Sequence, residues 1–108
     1  MGNGERQKTT GKIVVRIDSD LEELIPGYLE NRRKDLHAIR EALGREDFDT
    51  SQRLGHTMKG SGGGYGFDAI SAIGMAIEEA SKKRSAEKVQ CAVGELADFL
   101  DRVEVVYE

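Results

Sequence analysis

The sequence predicts an all-α protein, an antiparallel up-down four-helix bundle with a short extra N-terminal helix. Three observations carry this. Apolar residues recur three and four positions apart in successive stretches between Leu21 and Val103. The connections between the stretches are short, which makes neighbouring helices run in opposite directions. Residue types that start and stop helices stand at the joints.

Residues 1–12 are expected to form a disordered arm and residues 13–108 the folded domain. The arm, beginning MGNGERQKTTG, has almost nothing apolar with which to dock. Ile13-Val14-Val15-Arg16-Ile17 is a β-branched run that alone suggests an extended segment. With no second strand signal, it is expected to lie along the bundle rather than in a sheet.

Asp18, Ser19 and Asp20 are N-cap types, and Leu21, Leu24, Ile25, Tyr28, Leu29, Leu36, Ile39 and Leu43 follow at mostly helical spacing. Pro26 splits a short first helix from a long one and sits in the long helix's first turn, where its missing N–H is harmless. Gly44 is the expected stop. Asp47, Asp49 or Thr50 starts the next helix, on which Leu54, Met58, Ser61 and Tyr65 share a face, and Gly66 ends it. A third helix begins at Phe67 or Asp68 with the stripe Ile70, Ile73, Ile77 and Ala80, and Lys82-Lys83-Arg84 complement its negative end. Ser85 caps the last helix, whose stripe is Val89, Val93, Leu96, Leu100 and Val103.

Composition narrows the function. At 108 residues one domain is expected. A formal net charge of −4 argues against nucleic acid, which favours a basic stripe. The single cysteine, Cys91, allows neither an intrachain disulfide nor a cysteine-based metal site, and reads as a small buried hydrophobe in a reducing cytoplasm. No apolar run approaches the ~18 residues of a membrane span.

The informative segment is Gly55-His56-Thr57-Met58-Lys59-Gly60-Ser61-Gly62-Gly63-Gly64-Tyr65-Gly66. Its six glycines should weaken a helix by about 1 kcal/mol each. A phosphate-binding loop is the obvious alternative. Gly55 to Gly60 has the P-loop spacing, but Ser61 stands where lysine is required, and no register yields G-x-G-x-x-G. Read as a helix, Leu54, Met58 and Tyr65 point roughly 160–180° away from His56 and form a core stripe. Lys59, Gly60 and Gly63 fall on the face of His56 itself. The result is an exposed imidazole, a cation one turn on, and bare backbone beyond it, where another surface can approach closely. Neutral imidazole offers a nucleophilic nitrogen near neutral pH. In a hairpin about Gly66, Glu78 comes to the height of His56 and can accept a hydrogen bond from Nδ1–H, leaving Nε2 to attack. His37 is read as structural or solvated, and no metal site is expected.

The run HTMKGSGGGYG resembles the signature of histidine-containing phosphotransfer (HPt) domains: His, Lys three later, Gly four later, then Gly at seven and ten. The similarity extends over roughly residues 18 to 106, with Tyr65 in place of a commoner Leu and a denser glycine run. The resemblance implies that His56 is the phosphoacceptor, that Lys59 stabilises the phosphoryl charge, and that Glu78 matches the usual Gln/Glu partner of the ring. Gln52, Gly60 and Gly63 are then the docking residues. It implies a phosphocarrier without its own ATP site, moving phosphate between receiver domains or from a histidine kinase. The receiver supplies Mg²⁺, and the chain itself needs no cofactor. A cytoplasmic monomer is expected, binding neither nucleic acid nor membrane. The alternative is a helical protein-binding module whose histidine is never phosphorylated.

Overall fold

The computed structural model describes residues 11–108. Of the arm expected over residues 1–12, all but Gly11 and Lys12 lie outside the described residues. In chain order the elements are strand β1 (Ile13–Ile17), a 3₁₀ turn (Ser19–Leu21), helices α1 (Ile25–Gly44) and α2 (Phe48–Gly62), a 3₁₀ turn (Gly63–Tyr65), helices α3 (Asp68–Lys82) and α4 (Ala86–Arg102), and strand β2 (Val103–Tyr107). The protein is mostly helical, and α1 packs on α2 and α4 while α3 packs on the same two helices.

Local chemistry places the helix ends. Pro26 occupies the first turn of α1. Asp47 caps α2, its carboxylate accepting from the Thr50 amide at 3.1 Å and the Thr50 hydroxyl at 2.6 Å. Those two bonds hold the Asp47 carboxyl below its ordinary range. Ser85 caps α4 through the Lys88 amide. Gly66, with φ of 92°, makes the left-handed turn between α2 and α3, a conformation only glycine adopts freely. Its position is pinned by Ile17, whose Cδ1 lies 2.6 Å from where a Cβ would stand.

The core fills from all four helices. Ile25, Ile39, Met58, Ile70, Ile77, Val89 and Leu96 are essentially inaccessible. Four of the six aromatic residues gather at one place: Tyr28 stacks on Tyr65 and Phe67, with ring centroids 4.3 and 5.8 Å apart, and Phe67 meets Phe99 edge-on. The Arg32 guanidinium lies over the Tyr28 ring at 4.4 Å, and the Tyr28 hydroxyl and Ser61 share a hydrogen bond of 2.9 Å.

The structure corrects four expectations. The bundle is mostly helical, as the all-α expectation has it, but Ile13–Ile17 belongs to a small sheet instead of simply lying along the helices. β1 pairs in parallel with β2, from Ile13 opposite Val103 to Ile17 opposite Tyr107. Ile13, Val15, Ile17, Val103, Val105 and Tyr107 turn onto the core, while Val14, Arg16 and Glu104 face outward. A parallel pair needs a long crossover, and here the whole bundle supplies it. Val103 consequently starts a strand instead of ending the last helix stripe. In place of the short first helix there is only the three-residue 3₁₀ turn, capped by Asp18. Its geometry leaves Leu24 outside the core, 54% exposed. Cys91 is exposed, because the buried stripe of α4 runs through Val89, Ala92 and Val93. No helix among the described residues is long and apolar enough to cross a membrane.

Candidate functional site

The helices α2 and α3 approach far more closely than side chains normally allow, and glycine is the reason. A Cβ on Gly55 would lie 2.8 Å from the Glu78 amide nitrogen, one on Gly74 2.5 Å from that of Lys59, and one on Gly62 2.6 Å from that of Ser71. These pairings descend one helix as they climb the other, so α2 and α3 run antiparallel. Ser71 fastens the seam: its hydroxyl donates to the Lys59 carbonyl and accepts from the Gly63 amide, both at 2.8 Å. Further along, the Ser51 and Ser81 hydroxyls share a buried hydrogen bond of 2.6 Å.

Close backbone contact sets Glu78 directly beside His56. Oε2 of Glu78 stands 2.9 Å from Nδ1 of His56, and Oε1 stands 2.8 Å from Nζ of Lys59. The imidazole is 67% exposed while the carboxylate is 7% exposed, so a buried anion anchors an accessible ring. The Lys59 ammonium, and after it the His56 ring, hold the Glu78 carboxyl below its ordinary range against the opposing effect of burial. An ionised carboxylate can only accept hydrogen bonds, so in the neutral ring Nδ1 carries the proton and the Nε2 lone pair is free. An exposed, oriented nitrogen nucleophile beside a cation suits attack on an electrophile that gains negative charge.

Gln52 is half-buried and, with Asp49, Arg53 and Glu78, lines a shallow depression beside the ring. Gly60 is exposed, and a Cβ there would meet nothing within 4 Å. Gly63 is exposed too, and a Cβ there would make only ordinary contacts of 3.7 Å with Asp68 and Ser71. The structure therefore brings His56, Lys59, Glu78 and Gln52 together and leaves the glycine face beside them open. His37 is exposed on α1. Among the described residues no group of His, Cys, Asp and Glu could hold a metal ion.

The spacing gives Gly60 and Gly63 to the open face of His56 and leaves Gly62 and Gly64 divided between access and helix packing. The run does two jobs: Gly60, Gly63 and Gly64 leave space, whereas Gly55 and Gly62 interlock with α3. The spacing alone passes over Gly74, Ser71 and Arg53. Gly74 stands one turn after Ile70 and one turn before Glu78, a gap in the side chains along the buried face of the helix, which is a signal of close approach. Arg53 stands one turn before His56, on its face.

One family model, the Hpt domain, matches residues 23–105. Neither the curated proteins nor the solved structures searched contain a match.

Proposed function

Because the chain belongs to the Hpt domain family, whose members perform histidine phosphotransfer in two-component phosphorelays, we propose that His56 is the residue that takes and gives the phosphoryl group. The observation that carries the assignment is the hydrogen bond from Nδ1 to the buried Glu78 carboxylate, which directs an accessible Nε2 outward. Lys59 neutralises the phosphoryl oxygens, and Glu78 fixes the tautomer and the ring plane. Gln52, Gly60 and Gly63 form the face on which a receiver domain settles closely enough to present its aspartyl phosphate. The receiver supplies both that aspartate and Mg²⁺, so the chain acts as a phosphocarrier rather than an enzyme. In this reading it works as a cytoplasmic monomer on a bundle whose helices alternate in direction. Its partners are receiver domains or a histidine kinase, and not nucleic acid.

The test is transfer of labelled phosphate from a phosphorylated receiver to the intact chain. Wild type and His37→Gln take up acid-labile label, and His56→Gln folds normally but takes up none. Label retained by His56→Gln, or lost in His37→Gln, overturns the assignment. A wild-type chain that binds receivers without accepting label is instead a protein-binding module.

A further inference from the structure

Glu78 serves two donors at once, the Lys59 ammonium on one oxygen and the His56 N–H on the other. Phosphorylation alters both. When Nε2 attacks, a P–Nε2 bond forms and the P–O bond to the donor aspartate breaks, the aspartate leaving as a carboxylate with that electron pair. The ring loses no proton, so it becomes a cation whose Nδ1–H still meets Glu78. Phosphoryl oxygens also add negative charge one helical turn from Lys59.

We propose that phosphorylation exchanges these partners: Lys59 moves from Glu78 to the phosphoryl oxygens, and the freed Glu78 carboxylate holds the Nδ1 proton on the phosphorylated ring. This rests on His56 being the phosphoacceptor and says how the loaded carrier is kept ready to discharge. Onward transfer forms a P–O bond to the acceptor and returns the P–Nε2 electron pair to nitrogen. With Nδ1–H in place the departing group is neutral imidazole. Without it the departing group is imidazolate, a far poorer leaving group.

The charged groups around the ring are Asp49, Arg53 and Lys59 from α2 and Glu78 from α3. Glu79 and Lys82, next along α3, face each other at 3.7 Å. Asp49 and Arg53 are exposed and therefore screened. Only Glu78 is both buried and hydrogen-bonded to the ring, so its charge decides whether the proton stays.

The test loads the intact chain with phosphoramidate and follows discharge into water from about pH 6 to about pH 10, with ring-nitrogen NMR on the same samples. The wild-type midpoint is expected about one pH unit or more above that of Glu78→Gln, as for an opposite charge in contact. Above both midpoints the loaded Glu78→Gln chain then discharges roughly tenfold more slowly. Lys59→Ala leaves the phosphoryl charge and the carboxylate both bearing on the ring, so its midpoint moves up. Coincident midpoints in wild type and Glu78→Gln overturn the exchange and leave His56 as acceptor. If Glu78→Gln loads too little to follow, phosphorus NMR of the loaded wild type and loaded Lys59→Ala decides: phosphoryl shifts that differ support the exchange, and coincident shifts overturn it. A wild-type chain that takes no phosphoryl onto His56 overturns the carrier reading, and this proposal with it.

Discussion

Replacing Gly74 with alanine probes how the seam between α2 and α3 serves the site. The new Cβ would stand 2.5 Å from the Lys59 nitrogen, 2.8 Å from the Gly55 carbonyl oxygen and 2.9 Å from the Met58 carbonyl carbon. All three are backbone atoms and cannot swing aside. Relief requires α3 to withdraw by about 0.9 Å, the difference between 2.5 Å and the 3.4 Å at which ordinary contact begins. Moving as a rod, α3 carries Glu78 with it and stretches the 2.9 Å bond to His56 to about 3.8 Å, past hydrogen-bonding range. Overpacking costs about 1–3 kcal/mol, and alanine returns about 1 kcal/mol of helix propensity. The net loss is about 1 kcal/mol, a fall of about 4–8 °C in melting temperature. Losing the ring's anchor removes a contact worth about 1.4 kcal/mol, so loading of His56 by phosphoramidate should slow about tenfold. Gly60→Ala is the matched control: its Cβ meets open space, so its melting temperature should hold or rise. Melting at or above wild type together with loading at the wild-type rate in Gly74→Ala would refute the coupling of seam to site.

Other substitutions separate stability from docking. Gly63→Gln places a long side chain on the open face without a backbone clash, so melting should be kept while transfer from a receiver slows more than loading by phosphoramidate. Equal slowing with both donors would move the defect from docking to the ring. Ile17→Ala removes a fully buried strand side chain and should destabilise the domain by about 2–5 kcal/mol in denaturant unfolding; a loss under about 1 kcal/mol would mean the strand pair is an ornament on the bundle. The Glu78 carboxyl is held below its ordinary value of 4.5, so its stabilisation is complete above that pH and lost as pH falls through the lower folded value. Unfolding free energies of wild type and Glu78→Gln should therefore converge on acidification below 4.5, and a constant gap would refute the linkage.

Much of this was legible because it depends on local chemistry. Asp47 and Ser85 announce helix starts through side chains that satisfy nearby amides, and Pro26 can stand only in a first turn. The meeting of His56 with Glu78 follows from counting outward from Gly66, since a left-handed glycine turn fixes the hairpin register. What escaped depends on distant partners. Each strand is a five-residue β-branched run at the opposite end of the chain from its mate, and neither looks like a sheet alone. Val103 misleads because it continues the helical spacing of α4 at the position where the backbone turns extended. The glycines are ambiguous for a similar reason. A residue without a side chain carries no pattern of its own, and only the neighbouring helix separates Gly62, in contact, from Gly60, in the open.

The strand pair also bears on how the chain folds and opens. Its partners lie 90 positions apart in sequence, whereas α2 and α3 close on each other through a turn of a few residues. Loop-closure entropy therefore favours the hairpin carrying His56 forming early and the ladder forming late, once the helices have drawn both ends together. The reverse order applies to local opening. Five paired positions on a two-stranded ladder with one face open to solvent can part while the helical seam stays closed. Amide hydrogens of Val106 and Glu108, on the alternating set of residues that bond to the first strand, should then exchange through a clasp that unfastens well below the global unfolding free energy, leaving the His56 site assembled while the two strands come apart.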